Sequence, residues 1–75
     1  MRNQAVNKQT FVGTLIREKG GDEETTKHYT TLSKAREALE KLISEQPGEP
    51  YFDAYITRFE YDSDGNEMAV EEYWI

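Results

Sequence analysis

Two long β-prone runs, YFDAYITRFEY (51–61) and NEMAVEEYWI (66–75), are separated only by DSDG (62–65). Nothing else in the chain constrains its fold as tightly. Aromatic and β-branched side chains pack well on a pleated surface, and Asp-Gly tolerates the positive φ of a tight turn. The stretch therefore predicts an antiparallel hairpin. With Asp64 and Gly65 as a two-residue turn, Tyr61 faces Met68, Phe59 faces Val70 and Tyr55 faces Trp74. On the opposite face Arg58 meets Glu71, Ile56 meets Tyr73 and Ala54 meets Ile75. A three-residue turn with a glycine bulge shifts the ladder by one and sets Arg58 against Val70, a poorer set of cross-strand pairs. The two-residue turn is the expected one.

The same segment has nearly the spacing of a calcium loop. Glu60, Asp62, Asp64, Asn66, Met68 and Glu71 fall at the ligand positions, and Gly65 falls at the bend. Three features oppose that reading. Glu60 is one methylene longer than the usual first ligand, Glu67 stands where an apolar residue is normal, and both flanks read as strands instead of helices. The hairpin accounts for every residue without a metal, because Asp62 and Asn66 are ordinary turn formers. No metal site or cofactor is expected, and a calcium-binding protein acting through Glu60–Glu71 is the remote alternative.

Upstream, residues 1–8 are polar and aperiodic and read as a flexible tail, leaving 9–75 as a single small domain. TFVGTLIRE (10–18) alternates loosely, with Phe11, Gly13 and Leu15 on one face and Val12, Thr14 and Ile16 on the other. KGGDEE (19–24) reads as a turn, and TTKHYTTL (25–32) as a second, more polar strand. SKAREALEKLISEQ (33–46) is the helix, with Ser33 as its N-cap. Ala35, Ala38, Leu39, Leu42 and Ile43 form its apolar stripe, while Glu37 and Lys41 stand four apart in the favourable order. PGEP (47–50) ends it. The order β-β-α-β-β predicts an α+β fold: a four-stranded, mainly antiparallel sheet with one helix packed on one face.

A chain of 75 residues holds one small core, and this one has neither cysteine nor any histidine besides His28. Disulfides and a Cys/His zinc site are thus excluded, leaving core packing or association as the sources of stability. No run of about 20 apolar residues occurs, and the first residues lack the apolar stretch of a signal peptide. A cytoplasmic protein is expected. The formal charge of −6 is unevenly spread. Positions 47–75 hold Glu49, Asp53, Glu60, Asp62, Asp64, Glu67, Glu71 and Glu72 against Arg58 alone, together with seven of the nine aromatic residues. Such a chain repels nucleic acid.

One helix covers only one face of the sheet, yet both faces of the hairpin are apolar. The Tyr55, Phe59, Tyr61, Met68, Val70 and Trp74 face is expected to be the core. The other face then presents Phe52, Ala54, Ile56, Tyr73 and Ile75, ringed by Arg58, Glu60, Glu71 and Glu72. An apolar centre with a charged rim is the make-up of a protein interface. Catalysis is not expected: His28 reads as a surface residue, the carboxylates as solvated, and the chain as too short to enclose a deep pocket. Gly20-Gly21 lacks the strand-to-helix context of a phosphate loop. Stacking of RNA on Phe11, Tyr55 and Phe59 is opposed by the surrounding carboxylates.

The expectation is a non-enzymatic module that binds a basic or nucleic-acid-handling protein, with no direct contact to nucleic acid or membrane. Its candidate contacts are Glu60, Asp62, Asp64, Glu67, Glu71, Glu72, Tyr73, Phe52 and Ile56, the carboxylates standing in for phosphates. Small size, acidity and an aromatic-acidic surface resemble, as a class, the small inhibitors encoded by phages and mobile elements, anti-CRISPR and anti-restriction proteins among them. No motif ties the chain to one family. The alternative is a homodimerising assembly or regulatory domain.

Overall fold

The computed structural model describes residues 8–48 and 50–74. The chain runs β1 (Gln9–Ile16), β2 (Glu23–Thr25), α1 (Leu32–Ser44), β3 (Asp53–Tyr61) and β4 (Glu67–Trp74). The strands form one antiparallel sheet in the order β2-β1-β3-β4. This is the expected α+β arrangement, with the helix on one face. The expected tail at 1–8 lies outside the described residues apart from Lys8, whose carbonyl accepts the Tyr61 N–H at 3.3 Å. Ile75 and Glu49 also lie outside them.

The second strand is displaced from its expected place. Glu23–Thr25 pairs with Thr14–Ile16, so the acidic end of the supposed turn enters the ladder. Beyond Thr25, the Thr26 N–H donates to the Gly13 carbonyl at 2.9 Å, and Tyr29 forms an isolated bridge, its N–H and C=O both bonded to Phe11. Thr26 explains the departure between them. Its side-chain oxygen accepts the Gly13 N–H at 2.9 Å, a bond from side chain to backbone in place of a ladder bond. β-Branched composition marked 25–32 as a strand, but local side-chain bonding won.

The helix starts two residues earlier than an N-cap at Ser33 implies. Thr31 has extended dihedrals, and its side chain accepts the Lys34 N–H at 3.2 Å, making it the N-cap. At the other end Arg17 donates to the Leu42 carbonyl at 2.9 Å, tying the last turn to the end of β1. The apolar stripe is as expected: Ala35 and Leu39 are fully buried, and Leu42 and Ile43 pack against the core.

The core consists of Phe11, Leu15, Ala35, Leu39, Ala54 and Ile56, with Tyr29, Leu32 and Tyr73 at its margin. It therefore uses the sheet face that the sequence assigned to a partner. Small side chains decide this. Gly13 pairs with Ile56 and Leu15 with Ala54, so the helix-facing surface has a dip at its centre. Leu39 fills that dip so closely that a Cβ on Gly13 would lie 2.9 Å from its own Cβ. On the opposite face the rings of Tyr55 and Phe59 flank Thr57 along β3, and a helix laid there would meet those rings first.

The hairpin also corrects the register. Gly65 N–H donates to the Asp62 carbonyl and Asp62 N–H to the Asn66 carbonyl, both at 3.0 Å. Gly65 has a φ of 83°. These bonds define a three-residue loop, Ser63–Gly65, with a glycine bulge. Near the turn Tyr61 thus pairs with Glu67 and Phe59 with Ala69, instead of Met68 and Val70. A second irregularity between Arg58 and Phe59 leaves Val70 as the extra residue. Beyond it, Arg58 faces Glu71, Ile56 faces Tyr73 and Tyr55 faces Trp74, as the two-residue turn required. The two bulges together preserve the favourable pairs.

Candidate functional site

Alternation along β3 and β4 divides the predicted contact residues between two faces. Ile56 is 0 % exposed beneath the helix and is a core residue, so its assignment to a partner surface is corrected. Tyr73 is half-buried at the core margin, its ring centroid 6.3 Å from that of Phe11. Phe52 precedes β3, is exposed, and anchors its backbone by donating to the Ile16 carbonyl at 2.8 Å.

The carboxylates are divided as well. Glu60 and Glu71 both bind Arg58, whose guanidinium bonds to Glu60 and reaches Glu71 Oε1 at 3.2 Å. Tyr73 donates its phenol proton to the same Glu71 oxygen at 2.7 Å. That bond, with Arg58 behind it, holds the Glu71 carboxyl below the usual range and pushes the Tyr73 phenol up. Two of the acids expected to meet a partner are thus already engaged. Asp62 organises the turn: its Oδ1 accepts the Asp64 and Asn66 N–H groups at 2.9 Å, and the Asn66 bond leads in lowering its pKa. Asp64 is exposed at the tip. This loop lies between strands and two of its would-be ligands hold Arg58, so it lacks the frame of a calcium loop. Among the described residues no three His, Cys, Asp or Glu side chains form a metal cluster.

Glu72 and Glu67 lie on the other face, over which no described helix or strand packs. Glu67 accepts the Tyr61 phenol at 2.9 Å. Glu72 has no ion pair among the described residues. Their face is built from Thr10, Val12, Thr14 and Ile16 of β1, Tyr55, Thr57, Phe59 and Tyr61 of β3, and Trp74 of β4. Its centre is lined by Val12, Thr14 and Thr57, which are themselves buried. Around them stand rings. Trp74 is 59 % exposed and its centroid lies 5.1 Å from that of Tyr55, tilted by 55°. His28 packs 5.9 Å from Phe59, and its Nδ1 is 3.1 Å from Thr10 Oγ1.

The electrostatics of this open face are one-sided. Burial first, then the charges of Glu23 and Glu72 and more weakly Asp53, push the Tyr55 phenol above 10.0. Glu23, Glu72 and Asp53 form no ion pair with a cation among the described residues. An exposed indole, a tyrosine and three unneutralised carboxylates therefore share one surface. Sequence reasoning placed Tyr55, Phe59 and Trp74 in the core and passed over Glu23 and Asp53. The signal that finds them is the small-residue pair Gly13 and Ala54, which tells the helix which face to take.

A separate shallow groove of about 650 Å³ runs between the β2 segment and α1 at the far edge of the sheet. Lys27, Lys34 and Lys41 rim it, but Glu37 and Glu45 stand among them. No helix of the described residues is long and apolar enough to cross a membrane. In comparison with known proteins, the chain matches no family model, no curated protein and no solved structure.

Proposed function

We propose that this chain is a non-enzymatic binding module that docks a basic protein on its open sheet face. One observation carries the reading: Trp74 stands exposed against Tyr55 beside Glu23, Glu72 and Asp53, which no cation among the described residues neutralises. Large amphipathic rings in a charged rim supply anchoring area, and complementary charge supplies the encounter rate and the choice of partner. A cation such as a guanidinium gains further from the indole face. Proteins that handle nucleic acid carry basic surfaces, and on them these carboxylates occupy the place of phosphates. The module then acts as an inhibitor by occlusion.

The test is affinity capture at low and high salt, with wild type beside Glu72→Lys, Trp74→Ala and, as control, Glu40→Lys on the outer side of α1. Capture of basic proteins should weaken with salt, fail for the first two variants and survive in the third. Equal loss in all three, or in none, sinks the reading. A second reading, assembly through the same face, draws on the exposure of Trp74 there. Sedimentation across a concentration series separates the two.

A further inference from the structure

The sheet has two edges, and they are not alike. β2 is three residues long, too short to template another strand. β4 is eight residues long and, apart from half-buried Tyr73, exposed along its length. Backbone directions on β4 follow from its neighbours. Tyr61 N–H bonds toward β1 and Asp62 N–H toward β4, so alternate β3 residues serve opposite sides. Ile56 and Arg58 therefore face β4, their partners Tyr73 and Glu71 point inward, and Glu72 and Trp74 direct their N–H and C=O groups outward. The side chains of those same two residues belong to the open face.

An exposed edge is commonly guarded by lysine, proline or a bulge. β4 has no lysine and no proline, and its bulge at Val70 leaves Glu71–Trp74 unkinked. Its charges are all negative: Glu67, Glu71 and Glu72. Only Glu71 of these pairs with a cation among the described residues. A second copy laid on this edge would bring a matching set of carboxylates and another chain of formal charge −6. A basic segment meets no such opposition.

We propose that the outer edge of β4 takes up an extended basic segment as an added strand. Its backbone bonds to Glu72 and Trp74, and its cationic side chains fall beside the Glu72 carboxylate and on the Trp74 ring. This rests on the reading that the open face meets a basic partner, and adds to it the mode of recognition: main-chain bonds for affinity, alternate side chains for selection.

Amide hydrogen exchange of the whole chain, followed by NMR with a synthetic peptide alternating arginine and valine, tests it. A second peptide carries N-methyl groups on the amides of one edge, which keeps the charges and removes the pairing. The first peptide should slow exchange at Glu72 and Trp74 about tenfold or more, and the second should bind about tenfold more weakly. If both bind alike and the two amides stay unprotected, strand addition is overturned while the basic-partner reading stands. If neither binds at low salt, both fall. Protection that grows with protein concentration in the absence of peptide identifies a second copy as the occupant and overturns the proposal.

Discussion

Both faces of the sheet carry aromatic and acidic side chains, and they differ in how those groups are satisfied. On the helix side Phe11, Leu15, Ala54 and Ile56 are sealed by Ala35 and Leu39. The acids there, Glu60 and Glu71, share Arg58, and Tyr73 gives its proton to Glu71. On the open side exposed Trp74 leans on half-buried Tyr55, and Glu23, Glu72 and Asp53 have no ion pair among the described residues. One face spends its acids on a shared arginine, and the other holds three acids that no cation among the described residues pairs. The residue types are similar, so composition alone does not tell a structural face from a binding face. What separates them is whether a counter-charge and a covering element come from the same chain.

The largest effect should come from breaking the covered face. Ile56→Ala removes a fully buried side chain and should cost about 2–5 kcal/mol in urea unfolding. Trp74→Ala on the open face should cost no more than about 1 kcal/mol. Equal losses would mean that the open face is sealed after all. Gly13→Ala sharpens the same contrast, because its new methyl meets Leu39 in the dip. A loss of about 1–3 kcal/mol is expected from overpacking. The corresponding open-face change, Thr57→Val, should be milder. Gly65→Ala acts on both faces at once, since the turn sets the β3–β4 register. Its φ of 83° is strained for any residue with a Cβ, costing about 1–2 kcal/mol.

The smallest effects are electrostatic. Glu71 and Asp62 have folded values below the ordinary 4.5 and 3.8. Depressed carboxyl values mean that their stabilisation is fully present above those figures and is lost as pH falls through the lower, folded ones. NMR titration should place the Glu71 midpoint below 4.5 in the wild type and closer to it in Tyr73→Phe and in Arg58→Met. An unmoved midpoint in both variants would show that the covered-face acids are not satisfied as described. The same variants should leave the Tyr55 environment unchanged.

Much of the fold was legible because it rests on short-range chemistry. The helix stripe of Ala35, Leu39, Leu42 and Ile43 and the run from Asp53 to Tyr61 follow from periodicity and propensity. The errors are of three kinds. At Thr26 and Thr31, hydroxyl side chains bonded the backbone and moved an element's boundary by a few residues. In the hairpin, two bulges offset each other, and a ladder drawn with one uniform register matches only the part beyond Val70. At the sheet, period-two alternation separated the faces of β3 correctly but set Met68 and Glu72 of β4 on the wrong sides and gave the faces the wrong roles, so Ile56 was set out as a contact and Trp74 as core.

The sequence by itself determined the element types, the single helix, the hairpin at Asp62–Asn66 and the concentration of acids in the last third of the chain. These depend on neighbours within a few positions, where propensity, capping and turn geometry operate. Only the tertiary structure decided which face the helix covers. That choice depends on Gly13 and Ala54, distant in sequence and diagonal to each other across β1 and β3, making a dip that Leu39 fits. Close packing is a property of surfaces assembled from separate segments, and no local pattern along the chain carries it.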